Sequence, residues 1–292
     1  MLASTAQMCR IARAHGFAVP AVNIVDSVSL RAVVAAAVDA ESPAIIQVSV
    51  KTLRVMGIES ITATFHEAAE KAPVPLAIHL DHCPDRAVIS AVIAAGWSSV
   101  LFDASDRDLK AAIAETAEVA AEAHARGIDV ESEIENIIGV EDGVGSDQAV
   151  HAYSTSMLVD AADRTGTDLL APQLGTAHGM YKAEPVLLPD RVRDLLTQTD
   201  KPIVLHGGTG LQDDDYREFI AAGVSKINIS TGLKHAYLDA ARDYLTWAQA
   251  NDRWDPLALF AAIGTGVQAD IARYLPVFGS AGTAQLVEAG LK

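Results

Sequence analysis

Short apolar segments with β-strand character alternate with amphipathic, alanine-rich segments eight times along the chain. This alternation is typical of a parallel sheet, because a crossover helix must connect each parallel strand to the next. We predict strands at residues 17–24, 44–49, 76–81, 99–103, 129–134, 169–174, 203–206 and 226–229. Eight repeats favour a closed (β/α)8 TIM barrel, an α/β fold, over the alternative of an open doubly wound sheet.

The segments between the strands have the apolar spacing of helices, as at residues 30–40, 107–125, 191–198 and 231–251. The tripeptide AAG at 94–96, and again at 221–223, has a glycine where a helix should end before the next strand. No Pro-, Ser- or Gly-rich tract divides the 292 residues. We therefore predict one barrel domain over residues 1–292.

Composition and charge exclude several classes of protein. The chain has 38 acidic and 22 basic residues, a formal net charge of −16 that would repel nucleic acid. No apolar run approaches the roughly 18 residues of a membrane span, and the N-terminal segment lacks the unbroken apolar region of a signal peptide. Two cysteines are too few for a disulfide framework. These features predict a cytoplasmic protein that binds neither nucleic acid nor a membrane.

Histidines and carboxylates gather where the predicted strands end, which in a TIM barrel is the face that carries the active site. His82, His178 and His206 belong to three different strand ends. Three imidazoles with an open fourth position suit a catalytic zinc ion, so we predict these residues as its ligands. The alternative is that they are ordinary polar strand caps. His79 and Asp103 are assigned to the surroundings of the ligands rather than to the ion itself.

Loops rich in glycine and hydroxyl groups follow the last three predicted strands, with the sequences AHGMYK, HGGTG and NISTG. Such loops expose backbone N–H groups that can cradle a phosphate, and TIM barrels often hold phosphate after strands seven and eight. The alternative is that the glycines make tight turns. The candidate anion-binding residues are Gly179, Lys182, Gly207, Gly208, Thr209 and Thr231.

Eight segments together resemble the class II, metal-dependent fructose- and tagatose-bisphosphate aldolase family over nearly the whole chain. They are AVN at 21–23, AIHLDHC at 77–83, SSVLFDAS at 98–105, VESEIENIIGVEDG at 130–143, GTAHGMYK at 175–182, VLHGGTGL at 204–211, KINISTGLK at 226–234 and FGSAG at 278–282. HLDH, AHGMYK and LHGG in this order are a specific signature. The resemblance implies a lyase that splits a ketose phosphate into dihydroxyacetone phosphate and an aldehyde.

The resemblance also implies residue roles. The three histidines would hold Zn²⁺, and Glu133 would match a carboxylate that approaches the ion when the site rearranges. Asp81 would exchange the proton of the hydroxyl at the cleaved bond, and Glu141 would exchange the proton on the nascent carbanion carbon. Asn228 would contact the triose portion of the substrate.

The predicted substrate-binding set is completed by positions at the ends of the first two strands and by the phosphate loops. Its further members are Asn23 and Ser49 at those strand ends and, around the phosphate, Gly179, Gly207, Thr209, Ser230 and Thr231. A sodium or potassium ion is expected near the phosphate. Relatives suggest a homodimer or larger homo-oligomer.

The sequence departs from the family pattern in two places. Ser230 stands where members acting on doubly phosphorylated ketoses commonly have aspartate, and Leu257 and Gly264 stand where many relatives have arginine. We therefore expect the distal half of the substrate to be unphosphorylated or to bear a different group. A metal hydrolase and a non-catalytic phosphosugar-binding protein are the competing functions. A Schiff-base mechanism through Lys226 is not required.

Overall fold

The chain folds into a closed barrel of eight parallel strands, as the sequence predicts. A computed structural model describes residues 2–135, 137–142, 144–146, 151–179, 181 and 184–292, with residues 140–141 and 144–146 described by their backbone alone. The barrel strands are β1 (Val19–Asn23), β2 (Ala44–Ser49), β3 (Leu76–Cys83), β4 (Ser99–Asp103), β5 (Asp129–Glu133), β8 (Leu169–Leu170), β9 (Ile203–Leu205) and β10 (Val224–Ile229). Around the barrel they follow the order β1-β10-β9-β8-β5-β4-β3-β2.

Helices connect the strands and form the outer layer. They are α1 (Thr5–His15), α2 (Ser27–Asp39), α3 (Val50–Met56), α4 (Ile58–Lys71), α5 (Arg86–Ala94), α6 (Leu109–His124), α7 (Thr155–Thr165), α8 (Pro189–Leu196), α9 (Asp213–Ala222), α10 (Thr231–Asn251), α11 (Pro256–Val277) and α12 (Ala284–Gly290). A short antiparallel hairpin, β6 (Gly139–Glu141) with β7 (Val144–Ser146), follows β5. None of the helices described is long and apolar enough to cross a bilayer.

Both AAG tripeptides end a helix, as predicted. Gly96 follows α5 with φ +76° and Gly223 follows α9 with φ +116°. Glycine suits this left-handed region because it has no Cβ to clash with the carbonyl. That residues 1–292 form one domain stays a prediction.

The sixth barrel strand is much shorter than predicted, two residues rather than six. Pro172 has no N–H to donate to a ladder. The next donors turn to side chains, because Gln173 donates its N–H to Glu135 Oε2 at 3.0 Å and Gly175 donates to Gln173 Oε1 at 2.7 Å. The chain therefore leaves the sheet early and forms the loop that carries His178.

Helix α1 closes the N-terminal end of the barrel. The backbone N–H of Ala3 donates to Leu76 at the start of β3, and the Thr5 hydroxyl lies 2.6 Å from that of Ser99 at the start of β4. Met8 and Cys9 pack against apolar side chains from inside the barrel. Because this end is plugged, the opposite end is the accessible one.

Both cysteines, Cys9 and Cys83, are free thiols with no exposed surface. Burial raises the pKa of the Cys83 thiol to about 11 and raises that of Cys9 as well. We expect iodoacetamide at pH 8 to label neither in the native protein and both in urea, because the thiolate is the reactive form. Mass spectrometry of the intact protein measures this, and rapid native labelling at either position would contradict the buried placement.

Candidate active site

Polar side chains recur every second residue near the C-terminal ends of the barrel strands. Residues two apart on a strand point to the same side, so each pair faces the barrel interior together. The pairs are Gln47 and Ser49 on β2, His79 and Asp81 on β3, Glu131 and Glu133 on β5, and Lys226 and Asn228 on β10. The interior at this end is therefore polar, and all eight of these side chains are buried.

The three predicted histidine ligands converge above β3, β8 and β9. A ring nitrogen from each of His82, His178 and His206 lies within 4.8 Å of the others. His206 Nδ1 is 2.9 Å from His82 Nε2, and the ring centroids of His82 and His178 are 4.8 Å apart. Asp103 and Glu133 form a second group with His82 within the same limit. Nitrogen and oxygen donors in this arrangement can hold a divalent metal ion.

His82 reaches the site through a local irregularity of β3. Strict alternation would turn His82 away from the interior, because Asp81 before it already points inward. The pairing of β3 with β4 shifts register between Leu80 and Cys83, and His82 has φ +42°. His82 therefore turns inward beside Asp81, and its Nδ1 donates to Asp103 Oδ2 at 3.1 Å.

His206 is anchored from below by a buried ion pair. Its Nε2 donates to Glu131 Oε1 at 2.8 Å, with the Asn228 amide 3.1 Å away. The other oxygen of Glu131 accepts from Lys226 Nζ at 2.7 Å, and neither side chain of that pair is exposed. The hydrogen bond at Nε2 leaves Nδ1 directed at the histidine cluster. His79 lies beneath the ligands, with Nδ1 2.7 Å from Ser99 Oγ.

The electrostatics of the cluster favour a cation. Burial opposes charge on His82, but Asp81, Glu133 and Asp103 outweigh it and hold the pKa of His82 well above its usual value. Burial holds the pKa of His178 and of His206 well below the usual value, reinforced by the charge of His82.

The pKa values of the two carboxylates beside His82 shift in opposite directions. Burial raises the pKa of Glu133 well above its ordinary value. Burial also acts to raise the pKa of Asp103, but the hydrogen bond and charge of His82 and the hydrogen bonds of Ser105 lower it to about 2. Glu133 Oε2 lies 3.7 Å from His82 Nδ1 and 3.7 Å from His206 Nδ1.

Two buried carboxylate oxygens at this centre accept no hydrogen bond from the residues described. They are Glu133 Oε2 and Asp81 Oδ1. A buried acceptor without a donor costs free energy, which a metal ion or a substrate hydroxyl would recover. The donor set and these two oxygens therefore fit a bound divalent ion with a substrate beside it.

Asp81 is oriented by a chain of amides from neighbouring strands. Gln47 donates to Asn23 Oδ1 at 2.6 Å, and Asn23 in turn donates to Asp81 Oδ2 at 2.7 Å. These contacts fix one carboxylate oxygen of Asp81 and direct the other, Oδ1, toward His82 Nε2 at 4.0 Å. Asp81 is thus held next to the histidine cluster. Asn23, a predicted substrate-binding residue, donates a hydrogen bond to the carboxylate of Asp81.

The predicted phosphate loops after β8, β9 and β10 meet at one side of the mouth. A Cβ at Gly207 would lie 2.4 Å from the carbonyl oxygen of Ala177, and one at Gly208 would lie 2.7 Å from that of Asn228, so only glycine allows this approach. Gly232 donates its N–H to Thr209 Oγ1 at 3.2 Å. The Ser230 hydroxyl is buried and has no hydrogen-bond partner in the described part of the chain.

Gly179 and Thr231 are the other described residues predicted for these loops. A Cβ at Gly179 would meet nothing within 4 Å, so this glycine borders open space, and Thr231 is half-buried at the start of α10. Lys182 lies outside the described residues. Glu141 is described by its backbone alone, in β6, so its side chain cannot be related to the cluster.

The hairpin that carries Glu141 is joined to the His178 loop. His178 donates its N–H to the carbonyl of Ile138 at 2.8 Å, and Ile138 pairs with Ala177 in a parallel bridge. A Cβ at Gly139 would lie 2.6 Å from the His178 carbonyl oxygen. The base of the hairpin and a predicted ligand therefore hold each other in place.

Comparison with known proteins assigns the chain to a family. Residues 3–283 match the family described as Fructose-bisphosphate aldolase class-II. The chain belongs to the class II aldolase family. It is a carbon–carbon lyase of the ketose-phosphate type, as the resemblance of its motifs implies.

Similar proteins align with almost the whole length of this aldolase. A Probable fructose-bisphosphate aldolase of Bacillus subtilis (strain 168) is 34% identical over 97% of this chain and 99% of that protein. A Sulfofructosephosphate aldolase of Alkalicoccus urumqiensis is 33% identical over 91% of this chain and 92% of that one. The crystal structure of the YdjI aldolase from Escherichia coli K12 superposes with a TM-score of 0.85 at 29% identity, over 97% of this chain and 100% of that one.

Gln47 and Glu131 belong to the site of this aldolase, although the sequence motifs predict no role for either. The signal that finds them is the two-residue period of each strand. Gln47 precedes the predicted Ser49 by two residues, and Glu131 precedes Glu133 in the same way. The same period puts Lys226 and Asn228 on one side of β10. Lys226 forms a buried ion pair with Glu131, which gives that lysine a structural partner.

At the positions that depart from the family pattern, the aldolase has no charge to offer a distal phosphate. Leu257, near the start of α11, is 76% exposed. Gly264 lies further along α11, where a Cβ would meet Val28 of α2 at 3.7 Å. Ser230 presents a neutral hydroxyl. That these three positions bind no distal phosphate stays a prediction.

Proposed function

We propose that this aldolase is zinc-dependent and cleaves a ketose 1-phosphate reversibly into dihydroxyacetone phosphate and an aldehyde. The observation that carries the proposal is the convergence of His82, His178 and His206 on one point with Asp81 held beside it. Glu133 is the alternate metal ligand, since its Oε2 lies at equal distance from two of the imidazoles. Asp103 orients His82 by its hydrogen bond.

Asp81 and Glu141 divide the proton transfers. In cleavage, Asp81 accepts the proton of the hydroxyl on the carbon that becomes the aldehyde, and the electron pair of the broken carbon–carbon bond remains on the phosphate-bearing fragment. Glu141 then supplies a proton to that carbanion carbon. Zinc, when bound, supplies Lewis-acid stabilisation of the negative charge that develops on the substrate oxygen. Asn23 and Gln47 keep the reactive oxygen of Asp81 in place.

The phosphate of the dihydroxyacetone portion is held by the three loops after β8, β9 and β10. Their backbone N–H groups and hydroxyls form an anion site close to the histidines, and Asn228 contacts the triose. A sodium or potassium ion beside the phosphate belongs to this proposal. The anion-binding residues are Gly179, Lys182, Gly207, Gly208, Thr209, Ser230 and Thr231, with Ser49 and Asn23 toward the other end of the substrate.

The distal half of the ketose is unphosphorylated or bears a different group. The neutral residues Ser230, Leu257 and Gly264, at the positions that depart from the family pattern, support this. Relatives differ in the same respect, since one is named for fructose bisphosphate and another for a sulfonated fructose phosphate. We also propose a cytoplasmic homodimer or larger homo-oligomer, built from one domain over residues 1–292.

Zinc dependence and the reaction class are tested together. We expect about one zinc ion per subunit in the purified enzyme, and chelation to lower aldol cleavage of a ketose 1-phosphate by at least about 100-fold, restored by added zinc. The enzyme should also exchange one carbon-bound proton of dihydroxyacetone phosphate with D₂O, followed by NMR. A hydrolase would release inorganic phosphate without this exchange, and a binding protein would show neither reaction. Activity that survives full removal of the metal would overturn the proposal.

A further inference from the structure

A buried ion pair joins two loops at the mouth of the barrel. Glu135 follows β5 and its side chain is fully buried, while Arg191 lies in the first turn of α8 with 18% of its side chain exposed. Arg191 Nη2 donates to Glu135 Oε1 at 2.8 Å. A buried ion pair is stable only when its remaining polar atoms are bonded as well, so the other contacts of these two side chains matter.

The pair takes its other partners from the backbone of two residues. The N–H of Tyr153 donates to Glu135 Oε1 at 2.8 Å, and the N–H of Gln173 donates to Oε2 at 3.0 Å. Arg191 donates to the carbonyl of Tyr153 at 2.7 Å and to that of Gln173 at 2.8 Å. The carboxylate therefore accepts from both N–H groups, and the guanidinium donates to both carbonyls. These four residues form the loop anchor.

Two segments of the candidate active site begin and end at the loop anchor. Glu135 and Tyr153 stand 18 positions apart, on either side of the hairpin that carries Glu141. Gln173 and Arg191 also stand 18 positions apart, on either side of the loop that carries His178. Both segments are thus closed at one point, which fixes their ends relative to each other.

Contacts lead from the loop anchor to the strand of Glu141. Ile137 donates its N–H to Glu133 Oε1 at 3.2 Å, and Ile138 pairs with Ala177 in a parallel bridge. Strand β6 begins at the next residue and includes Glu141. The backbone that leads to Glu141 is therefore fixed against a residue of the metal cluster and against the loop after β8.

Asp81 is oriented from a different part of the barrel. Its carboxylate is held by Asn23 and Gln47, which stand on β1 and β2. His82 stands on β3 and His206 directly after β9. The loop anchor lies instead after β5 and β8 and on α8. The two proton transfers of the proposed reaction therefore depend on different parts of the fold.

We propose that Glu135 and Arg191 are positioning residues for the proton exchange at the carbanion carbon. They hold β6 where Glu141 reaches that carbon, and they act through the backbone rather than by contact with substrate or metal. The inference rests on the proposed aldolase function and adds two residues to its site. Misplacing a reacting group by about 1 Å costs roughly 100-fold in rate, so a small shift of β6 has a large effect.

The two proton transfers can be measured separately. Exchange of the carbon-bound proton of dihydroxyacetone phosphate with D₂O, followed by NMR, reports on Glu141. Aldehyde formed in the first turnover, measured after rapid chemical quench, reports on carbon–carbon cleavage at Asp81. The substrate is whichever of the 1-phosphates of fructose, tagatose, sorbose and psicose the unaltered enzyme cleaves fastest. Saturating zinc in both assays removes any contribution from altered metal affinity.

Arg191→Lys should lower the exchange rate by about 10- to 100-fold and leave first-turnover aldehyde formation within about threefold. Lysine keeps a charge beside Glu135, but its ammonium cannot span both carbonyls as the planar guanidinium does. Arg191→Met removes the charge as well and should lower exchange further; if it does not fold, Arg191→Lys alone decides. A purely structural role would lower both rates by the same factor, because fewer molecules would be folded, and equal losses would overturn the proposal.

A double variant tests whether Arg191 acts through Glu141. Glu141→Gln alone should lower the exchange rate, and adding Arg191→Lys should change it by no more than about twofold, because residues that act as a unit are not additive. Losses that multiply would show that Arg191 acts elsewhere and would overturn the proposal. So would an unchanged exchange rate in Glu141→Gln.

Arg193→Met is the matched control for these variants. Arg193 is a more exposed arginine on the same helix and pairs with Asp190, and its replacement should change neither rate. If the unaltered enzyme cleaves none of the four ketose 1-phosphates and shows no exchange, the proposed function fails and the inference fails with it. If the unaltered enzyme does both and Arg191→Lys exchanges at the same rate, the inference alone fails.

Discussion

Replacing Asp81 with asparagine is expected to lower kcat by about 10²- to 10⁴-fold, the usual contribution of a positioned acid–base group. Asparagine preserves the size of the side chain and can still contact Asn23, but it cannot accept the hydroxyl proton. Because Asp81 lies beside the histidines rather than completing their donor set, zinc should remain bound. Steady-state cleavage rates and elemental analysis of the same preparation measure the two effects.

Asp200→Asn is the matched control for this experiment, because Asp200 is a fully exposed carboxylate on the surface. It should leave both kcat and zinc content unchanged. Asn23→Ala should fall between the two, since it removes a hydrogen bond that orients Asp81 without removing the carboxylate. If Asp81→Asn retained near-normal turnover with full zinc content, another residue would have to carry the proton.

Replacing Lys226 with methionine is expected to lower the free energy of unfolding by about 3–5 kcal/mol, because it leaves the buried charge of Glu131 without its cationic partner. The two side chains are wholly buried and 2.7 Å apart. Methionine has a similar length and no charge, so the change removes the partner with little change in volume. Urea unfolding of the chelator-treated protein measures the loss without a contribution from metal binding.

The double variant Glu131→Leu/Lys226→Met should be more stable than Lys226→Met alone. Removing both charges leaves no stranded ion, and the remaining cost of about 0.5–1.5 kcal/mol is the lost hydrogen bond from His206. Lys71→Met, which breaks an exposed pair with Glu67, should leave the urea midpoint nearly unchanged, because solvent screens exposed ion pairs. A double variant less stable than the single one would show that the ion pair itself, rather than the isolated charge, dominates.

Much of the barrel could be predicted from local patterns. Strand and helix periodicity located all eight strands, and the two AAG tripeptides located helix ends, because these signals depend on neighbouring residues in the chain. Pro172 is a local signal that shortens the sixth strand. The course of the chain after it could not be predicted, because Gln173 donates its N–H to Glu135 in a distant part of the chain.

Some features of the candidate site could likewise be predicted from the sequence, and others could not. The positions of the histidines at separate strand ends indicated that they would meet, since parallel strands in a barrel bring their C-terminal ends to one face. The inward turn of His82 beside Asp81 could not be predicted, because strict alternation puts consecutive residues on opposite faces. It depends on the positive φ of His82 and on the register shift against β4.

The sequence by itself determined the barrel, the strand ends that carry the polar residues and the family to which the chain belongs. These properties follow from periodicity and from motifs, which act over a few residues. Tertiary structure alone decided that Glu131 pairs with Lys226 across 95 positions and that Asp142 meets Lys234 across 92. The physical reason is that ion pairs depend on distance in space, and closure of the barrel brings together charges that the chain keeps far apart.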